Sequence, residues 1–214
     1  MIGIVDYQVG NIGNVTRSLS FLKKKVRILN YPEDLSEEIQ ILILPGVGAF
    51  QTAMDALGER KWISFLQKWA NDNRPLLGIC LGMQLLMEES FEDGKRKGLG
   101  ILKGSVEPLS ISKYPHIGWN TIEWDPLNQV TEKFNRVIPD KTDFYFVHGY
   151  ALKNSEEKLA TTRVENEIFI SAVARNRILG FQFHPERSSK CGLKLLDTAI
   201  QYLGGNIDAI NTSS

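Results

Sequence analysis

Residues 75–86 read Pro75-Leu76-Leu77-Gly78-Ile79-Cys80-Leu81-Gly82-Met83-Gln84-Leu85-Leu86, and this stretch decides the fold. A short apolar run follows the proline, which is typical of a buried parallel strand, and leucines then recur at helical spacing. The hydrophobic period changes from that of a strand to that of a helix at Cys80. The sequence therefore predicts a strand, a sharp turn and a helix, with Cys80 at the corner.

The glycines around this corner fit a nucleophile elbow. Gly78 and Gly82 lie two residues before and after Cys80, and any larger side chain at either position would clash with the facing chain. A helix N-terminus at Cys80 favours the thiolate, and the amide of Leu81 would point to where a tetrahedral oxyanion forms. An inert buried cysteine beside helix-packing glycines explains these five residues equally well. The rest of the chain has to decide.

Length and charge exclude several classes of protein. The 214 residues suffice for one large α/β domain, and because no linker-like stretch divides them we expect a single domain over 1–214. Lysine plus arginine equals aspartate plus glutamate, so no charge pattern suggests binding to nucleic acid or to a membrane. No segment reaches transmembrane length, which suggests a cytoplasmic protein. Cys80 and Cys191 have no metal-site spacing, so we expect no metal and no cofactor.

Strands and helices alternate in the first part of the chain. Strand patterns cover 2–5, 25–29 and 41–44, and helical patterns follow Val15, Leu19 and Leu22 and cover 49–57 and 62–71. This order predicts an open, mostly parallel sheet with helices on both faces and ligands at the carboxyl ends of its strands. From 98 to 146 the rhythm is lost and shorter strand patterns appear, such as 121–124 and 144–147, which predicts antiparallel additions. Closing strands at 168–173 and 178–183 precede a helix at 192–203.

Three loops should share one rim of this sheet: 6–11, 45–50 and the elbow. Gly46 and Gly48 suggest a phosphate-binding loop, but Gln51 stands where the dinucleotide fingerprint needs glycine, and no Walker motif occurs. A tight turn that offers the amide of Val47 or Gly48 as a second oxyanion donor is the better interpretation. A merely tight turn between strand and helix remains the alternative.

The base for Cys80 should be one of three histidines, His116, His148 and His184. The aromatic segments around the first two fit a binding rim or a core cluster. His184 and Glu186 are two residues apart, so in an extended chain stiffened by Pro185 they share one side. Glu186 would hold one imidazole nitrogen while the other faces Cys80. A surface His/Glu pair is the alternative, but together with the elbow the pattern predicts nucleophilic catalysis by cysteine.

These motifs resemble those of the class I glutamine amidotransferases, which pair a Gly-x-Cys-x-Gly-x-Gln elbow with a later His-Pro-Glu. Residues 78–84 and 184–186 match both parts. A finer resemblance, to the glutaminase subunits that serve histidine biosynthesis, involves five further segments: 6–7 with 10–11, 44–50, 115–120, 145–150 and 192–196. The resemblance spans nearly the whole chain and implies a flavodoxin-like sheet.

The resemblance implies that glutamine is hydrolysed to glutamate and ammonia through a thioester on Cys80, with His184 as base and then acid and Glu186 orienting it. It implies two further groups of site residues. The oxyanion would be bound by the amides of Val47, Gly48 and Leu81. The substrate would be bound by Gln84, Glu92, Gly149 and Tyr150.

The resemblance also implies a partner, a (β/α)₈-barrel cyclase that forms a heterodimer with the glutaminase and receives its ammonia. Asn11, Trp119 and Arg187 fall at positions near that interface. Three positions depart from the family pattern. Gln8 replaces a glycine, Gly149 replaces a serine or threonine, and Arg187 replaces a lysine and keeps the charge but not the shape of the contact.

Three other interpretations remain. A cysteine hydrolase or peptidase on a similar sheet often has histidine directly after the nucleophile, where this chain has Leu81. A non-catalytic subunit with a vestigial triad is disfavoured because all three positions are filled. A glutaminase of the same type could instead serve a sugar-modifying amidotransferase, and the sequence does not separate this paralogue from the histidine enzyme.

Overall fold

The computed structural model describes residues 1–205. In this part of the chain, strands and helices alternate up to the elbow, short antiparallel strands follow, and a long helix ends the described region. The strands are β1 (Ile2–Val5), β2 (Val26–Leu29), β3 (Ile41–Gly46), β4 (Leu76–Cys80), β5 (Glu89–Ser90), β6 (Arg96–Lys97), β7 (Ser105–Pro108), β8 (His116–Thr121), β9 (Glu123–Trp124), β10 (Asp143–His148), β11 (Tyr150–Leu152), β12 (Lys158–Val164), β13 (Glu167–Arg175) and β14 (Ile178–Phe181). The helices are α1 (Ile12–Phe21), α2 (Phe50–Glu59), α3 (Trp62–Asn71), α4 (Leu81–Leu85), α5 (Thr131–Asn135) and α6 (Ser189–Gly204). Single 3₁₀ turns are formed by Pro32–Asp34 and Pro185–Arg187.

The main sheet is parallel in one half and mostly antiparallel in the other, where only the β5–β7 pair of the described residues is parallel. Strands β2, β1, β3, β4 and β14 lie side by side in that order and run parallel. This is the strand order of flavodoxin-like folds. Strand β13 is antiparallel to β14 and leads to β11, β7, β5 and β6, while β12 and β9 branch from β13. The predicted open sheet with antiparallel additions is confirmed.

Helices cover both faces of the parallel half. Residues alternate between the two faces along each strand, so Ile43 packs on the side of α1 and α6, and its neighbours Leu42 and Leu44 pack on the side of α2 and α3. Because both sides are apolar, β3 and β4 are buried along their whole length. This double covering fixes the carboxyl ends of β3, β4 and β14 at one edge.

A separate antiparallel pair, β8 and β10, lies against this edge. It holds the two aromatic segments that surround His116 and His148, which are opposite each other in the register. The ring of Phe144 on β10 stacks on Phe183, just past β14, with centroids 4.3 Å apart. The pair is therefore anchored beside the end of β14.

Several predicted boundaries were wrong. The strand expected at 121–124 is divided between β8 and β9, and the one expected at 178–183 ends at Phe181. The elbow helix stops at Leu85, because the backbone returns at Leu99 and the amide of this residue donates to the Leu85 carbonyl. Within residues 1–205 no helix has the length and apolar character needed to cross a membrane. The single domain over 1–214 stays a prediction, and its last part, 206–214, lies outside the described residues.

Candidate active site

Cys80 occupies a strained corner between β4 and α4. Its backbone has φ 54° and ψ −113°, a region that residues other than glycine rarely adopt. A Cβ built on Gly78 would lie 2.7 Å from the carbonyl oxygen of Gly82, and one built on Gly82 would overlap the carbonyl oxygen of Leu44. The predicted elbow and the need for both glycines are confirmed. The corner is therefore held tightly against β3.

His184 reaches the elbow because β14 and β4 are parallel neighbours, with Phe181 opposite Ile79. Its Nδ1 is 2.7 Å from Oε1 of Glu186, and both side chains are almost completely buried. Glu186 lies in the 3₁₀ turn after Pro185, so the prediction of an extended chain there was wrong. The turn nevertheless brings the carboxylate to the ring.

The electrostatics of His184 are set by its two neighbours. Burial lowers the pKa of His184, but its electrostatic interactions with Cys80 and Glu186 outweigh burial and raise the pKa to about 10. Within residues 1–205 the buried Nε2 makes no well-formed hydrogen bond, and neither does Oε2 of Glu186. Nε2 is thus the nitrogen available for proton transfer, and Nδ1 is the nitrogen fixed by the carboxylate.

A cavity of about 470 Å³ opens above Cys80 and His184. It collects residues that the sequence placed in three different groups. The predicted oxyanion donors Val47, Gly48 and Leu81 line it. So do the predicted substrate-binding residues Gln84, Glu92, Gly149 and Tyr150, together with Arg187. A larger hollow of about 620 Å³, near Leu127 and Tyr202, contains none of them.

The loop after β3 forms one wall of this cavity. Gly48 has φ 92°, a conformation that favours glycine, and a Cβ on Gly46 would lie 2.9 Å from Leu81 Cβ. The buried Tyr7 hydroxyl donates to the Pro45 carbonyl at 2.8 Å and so ties the 6–11 loop to this turn. The predicted common rim of three loops is confirmed, while the oxyanion role of the Val47 and Gly48 amides stays a prediction.

Two predicted substrate-binding residues are already held in place by the protein. Nε2 of Gln84 donates to the Tyr150 carbonyl at 2.9 Å and to Oε1 of Gln182 at 2.9 Å. Oε2 of Glu92 accepts from the amide of Phe50 at 2.8 Å and caps α2, and burial raises the pKa of Glu92. The side-chain oxygen of Gln84 and Oε1 of Glu92 take no part in these bonds, so each can accept a hydrogen bond from an ammonium group.

Tyr114 fills the space beside Gly149 and was missed as an individual site residue. A Cβ on Gly149 would lie 2.5 Å from Cζ of Tyr114, so the ring replaces the side chain that position 149 lacks. Burial, and then a hydrogen bond that the Tyr150 hydroxyl donates to Tyr114, raise the pKa of Tyr150. The sequence signal that could have identified Tyr114 is its place directly before segment 115–120, in the aromatic stretch around His116.

His116 and His148 form a buried relay, which the sequence left open between rim and core. The Tyr150 carbonyl can only accept, so Nδ1 of His148, at 2.9 Å, must donate to it. Nε2 of His148 then accepts from Nδ1 of His116 at 3.0 Å, and Nε2 of His116 accepts from Asn120 at 3.2 Å. Burial lowers the pKa of His148 to about 3 and also lowers that of His116. Both rings are therefore neutral and structural.

The predicted interface residues lie around the same rim. Trp119 is 55% exposed, and its ring packs edge-on against that of Tyr145 with centroids 6.2 Å apart. The guanidinium of Arg187 also lies over the Tyr145 ring, 4.3 Å from its centroid. The side chain of Asn11 accepts a hydrogen bond from the backbone N–H of Asn14 and caps the N-terminus of α1. Nearby Gln8, the departure from glycine, has φ 67°. A partner contact at these residues stays a prediction.

Comparison with known proteins agrees with this geometry. The family described as glutamine amidotransferase class-I matches residues 3–199. The imidazole glycerol phosphate synthase subunit HisH of Desulfitobacterium hafniense (strain DSM 10664 / DCB-2) is 43% identical over 199 residues, 92% of each chain. The subunit HisH of Aquifex aeolicus (strain VF5) is 39% identical over 197 residues, 91% of this chain and 93% of that one.

Solved structures show the same fold. A crystal structure titled glutamine amidotransferase superimposes with a TM-score of 0.73 at 20% identity, covering 95% of this chain and 98% of that one. The structure of PurLQS from Thermotoga maritima gives a TM-score of 0.72 at 19% identity, covering 94% and 98%. From the matched family and the relatives at about 40% identity, we conclude that this chain belongs to the class I glutamine amidotransferase family.

Proposed function

We propose that this chain is the glutaminase subunit of an imidazole glycerol phosphate synthase. It hydrolyses L-glutamine to L-glutamate and ammonia and passes the ammonia to a cyclase subunit in histidine biosynthesis. One observation carries the chemistry: His184, whose Nδ1 is 2.7 Å from Oε1 of Glu186, lines the same 470 Å³ cavity as the strained Cys80. The relatives named as HisH subunits support the pathway.

The proposed reaction begins with the Cys80 sulfur attacking the side-chain carboxamide carbon of glutamine. The carbonyl oxygen becomes an oxyanion, for which we propose the amides of Leu81 and the Val47–Gly48 turn as donors. The imidazolium of His184 protonates the nitrogen, the C–N bond breaks and ammonia leaves a γ-glutamyl thioester. His184 then takes a proton from water, the resulting oxygen attacks the thioester, and breakage of the C–S bond releases glutamate and returns the sulfur anion.

We propose that Gln84 and Glu92 hold the ammonium end of glutamine. Both residues line the cavity, and the raised pKa of the Glu92 carboxyl would fall again once a cation pairs with it. Gly149 and Tyr150 would contribute backbone and ring contacts. Since the cavity also contains Tyr114, this residue would close the wall beside the substrate.

A partner follows from the chemistry of the product. Ammonia released into neutral water becomes mostly ammonium and is no longer nucleophilic, so it has to pass directly into a second site. We propose a (β/α)₈-barrel cyclase as that partner in a heterodimer, with Asn11, Trp119 and Arg187 at the interface. We also propose that residues 1–214 form one domain and work in the cytoplasm, where Cys80 stays reduced.

The test is the Cys80→Ala variant, combined with the cyclase. We expect loss of glutamine-dependent synthesis while added ammonium salt still supports it, because the cyclase is intact. Cys191→Ala is the matched control, since that thiol is exposed and outside the cavity, and it should keep both activities. Normal glutamine use by Cys80→Ala would refute the nucleophile assignment. A sugar amidotransferase in place of the cyclase is the second candidate, which the neighbouring genes would distinguish.

A further inference from the structure

We infer that Gln182 is a positioning residue that donates a hydrogen bond to the sulfur of Cys80 and holds Gln84 in its orientation; this inference rests on the glutaminase function proposed above. Gln182 follows β14 directly and is completely buried. The backbone N–H of Gln182 donates to the Ser171 carbonyl on β13 at 2.9 Å, so the main chain is fixed at this position. The side chain lies between the elbow and the substrate wall.

The hydrogen-bonding partners determine which way each amide points. The Tyr150 carbonyl can only accept, so the atom of Gln84 that faces it at 2.9 Å is the NH₂ group. The same nitrogen is 2.9 Å from the Gln182 side chain, which must therefore present its oxygen. The NH₂ group of Gln182 is then left to face Cys80 Sγ, at 3.8 Å. The Tyr150 carbonyl therefore determines the donor and the acceptor in every hydrogen bond of this series.

This arrangement distinguishes the two forms of the sulfur. The Val147 carbonyl, 3.9 Å from Sγ, can accept from a thiol but has nothing to accept from a thiolate. The NH₂ group of Gln182 donates to either form and binds the anion more strongly, because hydrogen bonds to charged acceptors are the stronger ones. Gln182 therefore favours the nucleophilic form of Cys80, and it does so from the protein interior rather than from the cavity.

Two substitutions separate the two tasks. Gln182→Met has a similar shape but removes both the donor to sulfur and the acceptor for Gln84. Gln182→Glu keeps the acceptor and loses the donor except when its carboxyl is protonated. All variants carry Cys191→Ser, so that iodoacetamide alkylation reports on Cys80 alone. Thr162→Val is the control for a buried substitution, because its buried hydroxyl makes no hydrogen bond within residues 1–205.

We expect the pH dependence of Cys80 alkylation to shift upward by about one unit in Gln182→Met, the size of one charge-assisted hydrogen bond. In the complex with the cyclase, kcat for glutamine should fall about tenfold in both variants, and KM should rise only in Gln182→Met. Gln182→Glu should keep more of the parent's activity at acidic than at alkaline pH. Thr162→Val should match the parent.

An unchanged alkylation profile and kcat in Gln182→Glu, with a parent-like melting temperature, would overturn the inference. If Gln182→Met fails to fold, Gln182→Glu decides alone, because its acceptor and volume are retained. Failure of the proposed function would look different. The Cys191→Ser parent would then hydrolyse no glutamine in the complex, whatever residue stands at position 182.

Discussion

The phenol ring of Tyr114 occupies the place of a side chain at position 149: a Cβ on Gly149 would come within 2.5 Å of Tyr114 Cζ and 2.9 Å of Cε2. Gly149 has no positive φ, so its backbone could carry another residue, and the ring alone restricts it. The family pattern favours serine or threonine at position 149. In this chain the position is glycine, and the ring of Tyr114, from a different segment, fills the space of the missing side chain.

Gly149→Thr should raise the KM for glutamine severalfold and change the free energy of unfolding by less than about 1 kcal/mol. Tyr114 is 52% exposed and can swing outward, but it then loses its contact with Tyr150 at the cavity wall. Steady-state kinetics and thermal unfolding would measure the two effects. In the background Tyr114→Ala, the same substitution should have little further effect; an equal rise in KM there would contradict the explanation.

His184 and His148 should titrate far apart. With its pKa raised to about 10, His184 should stay protonated between about pH 5 and 8, whereas burial, which lowers the pKa of His148 to about 3, keeps that ring neutral over the same range. Burial acts on the pKa of His116 in the same direction. Nitrogen chemical shifts of ¹⁵N-labelled rings would measure this. Titration of His148 near the ordinary histidine value would contradict the buried relay.

The same raised pKa makes the stabilising effect of His184 depend on pH. Since its pKa is higher in the folded chain than the ordinary histidine value of about 6.5, the stabilisation is complete below about pH 6.5 and is lost as the pH rises through about 10. The difference in unfolding free energy between the parent and His184→Gln should therefore shrink over this interval. Denaturant unfolding at several pH values would measure it.

Glu186→Gln should lower kcat by roughly a hundredfold to ten-thousandfold, the range seen when the residue that orients a catalytic histidine loses its charge. The isosteric amide fits the same buried space, but it withdraws a hydrogen bond and a charge that both raise the pKa of His184, so that pKa should fall. Glutamine turnover in the complex and the His184 ring shift would report both effects. Retained turnover with a lowered pKa would show that the carboxylate does not orient the ring.

Trp119→Ala should weaken binding to the cyclase by about tenfold or more, since exposed aromatic residues often dominate interfaces. Its ring is 55% exposed and packs only edge-on against Tyr145, so the isolated chain should lose little stability. Leu127→Ala is the matched control, because Leu127 is 88% exposed and lies at the other hollow. Equal affinity of Trp119→Ala and the parent would remove this surface from the interface.

The sequence predicted the parallel core and the meeting of Cys80 with the His184–Glu186 pair because each depends on local patterns, while the catalytic roles stay a prediction. The apolar run before Cys80, its two glycines and the His-Pro-Glu triplet are all contiguous, and parallel strand order brings them together. The features that the sequence did not predict depend on contacts between distant segments. The position of Tyr114 over Gly149, the Gln182–Gln84 pairing and the relay through His148 need the β8–β10 pair to be placed first. Helix α4 was predicted too long because the capping of its last carbonyls comes from residue 99.

The backbone of Cys80 has a further consequence. At φ 54° and ψ −113°, an ordinary residue costs about 1–3 kcal/mol relative to relaxed geometry, and a glycine would remove most of that cost. The sulfur that we propose as the nucleophile is thus carried by a strained main-chain position. A glycine here would give the more stable fold, so the proposed chemistry and the free energy of folding make opposite demands on this position.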